Sequence, residues 1–162
     1  MTEWSVRRAG EADAETMLAT MAIGFEGFRE FAPPGWNPPA VAELARIRER
    51  LGAAGTWALI AEGLDGPAGH ISFFPQVGTE GSAHLWQLFI RPPWWGTGLA
   101  RELLRRALDE ARDQGYERMR LFTPEGQARA RAFYERHGFD AVGPAAFDPN
   151  IGFNVMQYAQ AL

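Results

Sequence analysis

Gly96-Thr97-Gly98 stands immediately before an apolar helical repeat that begins at Leu99. A helix leaves its first amides unpaired and carries a positive dipole end, so an anion seated there gains several donors at once. Glycines at 96 and 98 would let a phosphate approach the backbone closely; they would serve equally well as a tight turn into a helix. Two nucleotide signatures fail on these residues. The triphosphate loop needs its second glycine followed by Lys and Ser or Thr, which is absent. The dinucleotide fingerprint needs a third glycine where Arg101 stands, and a strand leading straight into the turn, whereas Pro92-Pro93-Trp94-Trp95 intervenes.

Other residues could move protons. His84, with an ordinary pKa of ~6.5, exchanges a proton near neutrality, and Glu26 and Glu30 offer carboxylates; a lone strand histidine or a solvated helix face explains them too. The chain has no cysteine, which excludes disulfides, thiolate metal sites and a protein thioester. His70, His84 and His137 lack a paired ligand spacing, and no Gly-x-Ser-x-Gly turn occurs, so no metal is expected and serine hydrolysis is disfavoured.

A single domain over residues 1–162 should hold these groups, since a chain of 162 residues can bury one continuous core. Its 46% apolar and 22% charged residues are ordinary for a globular protein. A net charge of -4 gives no general attraction to nucleic acid or anionic membranes. The first residues lack the apolar core of a signal peptide, and no apolar run is long enough for a bilayer span; a cytoplasmic location is expected.

Trp4 to Ala9 alternates like a strand, and a helix should run from the Gly10-Glu11-Ala12-Asp13 cap to about Glu30. The proline-rich stretch from Ala32 to Pro39 cannot be helical. Val41, Leu44, Ile47 and Leu51 then mark a second helix over Ala40 to Leu51. Strands are expected at Thr56 to Glu62 and Ala68 to Val77, joined by a hairpin at Gly63 to Gly66, and at Ala83 to Ile90. Leu99, Ala100, Leu103, Leu104, Ala107, Leu108 and Ala111 form the apolar face of the clearest helix, which Gly115 stops. A strand at Met119 to Phe122, a helix over Gln127 to His137 and two strands around Asp148-Pro149-Asn150 complete the chain. The fold class is α/β (α+β): a mixed, mostly antiparallel sheet of about seven strands with helices on both faces.

The run from Leu88 through Pro92-Pro93 and Gly96-Thr97-Gly98 to Ala100, with the later Phe133-Tyr134-Glu135-Arg136-His137-Gly138-Phe139, resembles the GCN5-related N-acetyltransferase (GNAT) family. The likeness is good over Ser82 to Val142 and extends elsewhere through element order. It implies acetyl-CoA (coenzyme A) as acyl donor and an amine as acceptor. By the same resemblance, the backbone of Leu88, Phe89 and Ile90 binds the pantetheine arm, and amides of Trp95, Gly96, Thr97, Gly98, Leu99 and Ala100 bind the pyrophosphate. Trp95 replaces the family's usual Gln or Arg, so a side-chain contact to phosphate is lost there. Gln127 and Phe133 fall beside the cofactor.

Tyr134 falls where the family carries its general acid. Tyrosine titrates near ~10 against ~8.5 for a thiol, so it is protonated at neutral pH and can donate as sulfur leaves. Relatives often have Glu at the position of Gln87, whose amide cannot accept a proton; Gln87 would orient water or acceptor. The base is then His84, directly or through water, or Glu26 or Glu30. The acceptor would lie between the early helices and the last strands, among Phe25, Phe28, Phe31 and Trp36, with Glu26 and Glu30 available to a cationic amine. These expectations amount to acetyl transfer to an amine of a small molecule or peptide, by direct attack in a ternary complex. The alternatives are a non-catalytic acyl-CoA binding module, and an enzyme acting on protein N-termini or lysines. The tail strands offer an edge on which a homodimer could form.

Overall fold

The computed structural model describes residues 3–38 and 44–162. Strand β1 (Trp4–Arg8) leads through a 3-10 turn into α1 (Ala14–Gly27), and a second 3-10 turn, Phe28–Glu30, opens the proline-rich loop. After α2 (Leu44–Gly52) come β2 (Trp57–Gly63), β3 (Gly66–Pro75) and β4 (Ser82–Ile90). A 3-10 turn, Pro92–Trp94, precedes α3 (Leu99–Asp113). The chain finishes with β5 (Arg118–Pro124), α4 (Ala128–Arg136), β6 (Asp140–Ala141), β7 (Ala146–Asp148) and β8 (Phe153–Ala161). The start expected for α2, including Val41, lies outside the described residues.

Among the described residues the strands form one sheet of eight, ordered β1-β2-β3-β4-β5-β8-β6, with β7 also on β8. Seven were expected; the extra one, β6, is two exposed residues whose pattern no alternation could reveal. Every pairing is antiparallel except β4 with β5, which the crossover through α3 makes parallel.

Alternation along the strands splits the core into two layers. On one face Leu59, Ile71, Phe73, Leu85, Met119 and Leu121 pack beneath α3, whose Leu99, Leu103, Leu104, Ala107, Leu108 and Ala111 are all buried. Ala100 is only half-buried, at the margin of that stripe. The opposite face carries α1, which approaches β4 so closely that a Cβ on Gly24 would fall on the Phe89 ring. Phe25 also meets Phe89 edge-on, 5.6 Å between centroids. At the proline-rich loop, Trp36 stacks on Phe153 at 5.4 Å and donates its indole hydrogen to the Ile151 carbonyl at 2.6 Å. The loop after α1 is thereby tied to the start of β8.

Close approach without slack makes Gly24 sensitive. Gly24→Ala should destabilise the fold by about 1–3 kcal/mol through overpacking against Phe89. Urea unfolding would show this as a lower midpoint with an unchanged slope. An unchanged midpoint would mean that α1 does not rest on β4 as described.

Candidate functional site

The parallel ladder between β4 and β5 pairs Ser82 to Leu85 with Arg118 to Leu121 and goes no further. Each strand continues on its other neighbour: β4 stays on β3 to Ile90, and β5 stays on β8 to Pro124. Their facing backbone edges beyond Leu85 and Leu121 therefore have no strand partner. A bulge coincides with the parting, because Gln87 pairs with Ser72 and Leu85 with Phe73, leaving Trp86 over.

From the end of β4 the chain turns into α3 through Gly96 and Gly98, both left-handed with φ of 74° and 86°. Thr97 Oγ donates to the Trp94 carbonyl at 2.7 Å and holds the turn. The first helical bond of α3 runs from Glu102 N to Gly98 O at 3.1 Å, so the amides of Leu99, Ala100 and Arg101 precede it. Trp95 donates its indole hydrogen to the Ile90 carbonyl at 2.8 Å, and the Arg129 guanidinium lies 4.9 Å from the Trp95 ring centroid. An arm rich in amides fits the open strand edge, and a diphosphate fits the free helix amides beside Arg129. This donor set suits coenzyme A.

On the other face of the sheet, a cavity of about 200 Å³ opens beside the same parting. Met21, Phe25 and Phe28 wall it from the α1 side, and Trp86, Gln87 and Phe89 from β4. Phe122, Thr123 and Pro124 of β5, Asp148 of β7, Val155 of β8 and Ile151 of the turn between them close it. A larger hollow of about 390 Å³ runs along the outer surface of α3 by Arg101, Arg105 and His137. It includes no residue of β4 or β5.

Of the residues singled out from sequence, Phe25, Phe28, Gln87 and Phe89 meet in the cavity. Leu88 and Ile90 pack toward α3 with Phe133 and Tyr134. Trp36 braces the wall from behind through Phe153. Glu26 points outward, ion-paired with Arg29 at 2.7 Å and held below the ordinary carboxylate range by that hydrogen bond. Glu30 is exposed, and neither glutamate lines the cavity. Gln127 caps α4 in position only, without a side-chain hydrogen bond.

His84 stands behind the cavity between Phe74 and Phe122, with centroids at 5.2 and 5.7 Å. Its Nδ1 accepts a hydrogen bond from Arg120 Nε at 3.2 Å. Burial, then the charges of Arg120 and Arg50, lower its pKa to about 4. Tyr134 is buried with its ring edge-on to Phe133 and Phe139, and burial raises its phenol above the ordinary value. No described residue hydrogen-bonds the Tyr134 hydroxyl.

Sequence reasoning missed His70, which lies fully buried on β3 with its Nε2 2.7 Å from Gln87 Oε1. An amide oxygen only accepts, so the ring hydrogen sits on Nε2. His70 Nδ1, Ser72 Oγ and Gln87 Nε2 are then buried without a partner. Burial lowers the His70 pKa to about 4, although the Gln87 bond raises it and the Arg91 charge lowers it further. Asp148 was also missed, because in sequence it reads as a turn residue between strands.

Residues 23–139 match the Acetyltransferase (GNAT) family. A stretch of 71 residues is 38% identical to the mycothiol acetyltransferase of Beutenbergia cavernae, covering 44% of this chain and 24% of that protein. Two solved structures share the fold over nearly the whole length. An acetyltransferase of the GNAT family from Staphylococcus aureus superposes with a TM-score of 0.78 at 14% identity, covering 99% of each chain. The PaiA N-acetyltransferase of Thermoplasma acidophilum, determined in complex with coenzyme A, gives 0.73 at 15% identity, again over 99% of each.

His70, fully buried, and His84, half-buried, are both kept neutral, which fixes a pH dependence. Between about pH 6.5 and pH 4 the unfolded chain binds protons that the folded chain refuses, so stability falls as pH falls through that window. His70 alone accounts for on the order of 3 kcal/mol across it. Denaturant midpoints at pH 7.5 and pH 5 should differ accordingly, before the carboxylates titrate. Equal midpoints would contradict neutral burial.

Proposed function

The chain belongs to the GNAT acetyltransferase family, and from that premise we propose that it transfers an acetyl or other short acyl group from coenzyme A to an amine of a small molecule. The observation that carries this is the parting of β4 from β5, which opens on one side to the free amides of α3 and on the other to an aromatic cavity. Among the described residues no helix is long and apolar enough to cross a membrane.

When bound, coenzyme A supplies the acyl thioester. The backbone of Leu88 to Ile90 would hold the pantetheine arm, and the amides of Gly96 to Ala100 the pyrophosphate; the Trp95 amide, counted among them from sequence, already donates to the Pro92 carbonyl at 3.1 Å. Arg129, resting on the Trp95 ring, brings back a cation where Trp95 replaces the family's polar side chain. With no cysteine in the chain, the amine attacks directly rather than through a protein thioester.

Tyr134 is the acid. Its raised pKa keeps it protonated at neutral pH, and its hydroxyl is free of other partners, so it can give its proton to the departing thiolate. Gln87, fixed by His70, orients the acceptor. Neither Gln87 nor His84 is a base at the cavity, since Gln87 is an amide and the His84 Nδ1 lone pair already accepts from Arg120. The ammonium proton leaves through the cavity mouth to water. A cavity of about 200 Å³ favours a small acceptor over a polypeptide segment.

Calorimetric titration should show acetyl-CoA binding that Gly98→Val weakens at least tenfold, because a branched side chain at φ 86° distorts the turn. Thiol release with an active amine should fall about 10²- to 10⁴-fold in Tyr134→Phe, with acetyl-CoA affinity retained. Binding without turnover of any amine would leave a non-catalytic acyl-CoA module. No binding by the parent protein would overturn the reading.

A further inference from the structure

Among the described residues the cavity wall carries a single charge. Of the side chains that line it only Asp148 is ionisable, and among the described residues no cation is ion-paired with it. Its Oδ1 accepts the Asn150 amide at 2.8 Å, which fixes the carboxylate at the end of β7 and leaves the second oxygen available. Trp86, Phe89 and Phe122 line the same cavity, and aromatic rings attract cations to their faces. Gln87, Thr123 and Trp86 add only neutral polar groups to the wall, and Gln87 Nε2 is without a protein partner.

We infer that the acceptor is a compact primary amine on an apolar aryl-alkyl or branched-alkyl body, bearing no carboxylate, and that Asp148 receives its ammonium group. The inference rests on the acyl-transfer reading and specifies its substrate. At about 200 Å³ the cavity is smaller than the ~300–1,000 Å³ typical for drug-sized ligands, so the body is short. The rings of Phe25, Phe28 and Phe89 bury an apolar body without leaving a polar group of it unpaired. An amino acid would bring its own carboxylate into a cavity whose one charge is already negative, and no described arginine lines the wall to meet it.

The chemistry balances with this assignment. The ammonium loses a proton, and the neutral nitrogen attacks the thioester carbonyl carbon. The C–N bond forms and the C–S bond breaks. The nitrogen sheds a second proton as the amide forms and the sulfur takes one up, so one net proton passes to solvent.

The test is thiol release from acetyl-CoA by the full chain with phenethylamine and isopentylamine, each against its carboxylated counterpart, phenylalanine and leucine. The amines should exceed the amino acids in kcat/KM by about tenfold or more. Asp148→Asn keeps the oxygen that accepts from Asn150, so the turn should stay folded. It should raise KM for phenethylamine about tenfold with little change in kcat, and narrow the gap to phenylalanine. Asp148→Lys should move the preference toward the carboxylated partners, a change that a structural role for Asp148 would not produce. Equal or better use of the amino acids, or an Asp148→Asn variant with unchanged KM and preference, overturns the inference. So does acetyl-CoA binding with turnover of other amines only, which leaves acyl transfer standing. Absence of acetyl-CoA binding overturns both.

Discussion

Four residue pairs hold β4 to β5 in parallel, and the ladder's end at Leu85 and Leu121 governs the rest of the site. Backbone groups in a sheet normally find their partners in the neighbouring strand; here a stretch of β4 is left to bond something other than protein. The bulge at Trp86 falls at the same point, so the strand turns as its partner leaves. Both strands remain anchored, β4 on β3 and β5 on β8, which lets the gap persist without loosening the fold. The chain then delivers the free amides of α3 to one mouth of the gap and an aromatic cavity to the other.

The second constraint is the polar shelf under that cavity. His70, Ser72 and Gln87 share a buried sheet face in which three polar atoms have no partner. Each such atom costs about 1–3 kcal/mol. A core built only for stability would replace them with apolar groups. What they provide is a fixed amide, Gln87, with its oxygen committed to His70 and its nitrogen left over at the cavity wall. Opposite, the stack of Trp36 on Phe153 and the bond from its indole to the Ile151 carbonyl clamp the loop after α1 to the start of β8.

Much of the scaffold was legible in sequence. The apolar stripe of α3 has a period that only a helix satisfies, and Gly98 before it needs the left-handed backbone seen here. Gly96-Thr97-Gly98 and Phe133-Tyr134 therefore fell on the elements expected. Side-chain partners were less legible, because they depend on register. His84 looked available as a base, yet β5 places Arg120 opposite it, 36 residues away. Gln87 was expected to orient water or acceptor, but that β3 brings His70 against its amide oxygen could not be read from the sequence. Trp95 looked like a lost contact, but the first turn of α4 sets Arg129 over its ring. Asp148 acquires its meaning only when β7 lies on β8 at the cavity rim. β6 escaped notice because two exposed residues carry no pattern.

The most direct test is a crystal structure of the protein with bound coenzyme A. The account predicts the pantetheine arm lying between Trp86–Ile90 and Phe122–Pro124, hydrogen-bonded to the unpaired edge of β4, with the pyrophosphate on the amides of residues 96–100 and Arg129 beside it. A ligand seated elsewhere, with β4 and β5 zipped together beyond Leu85 and Leu121, would contradict it.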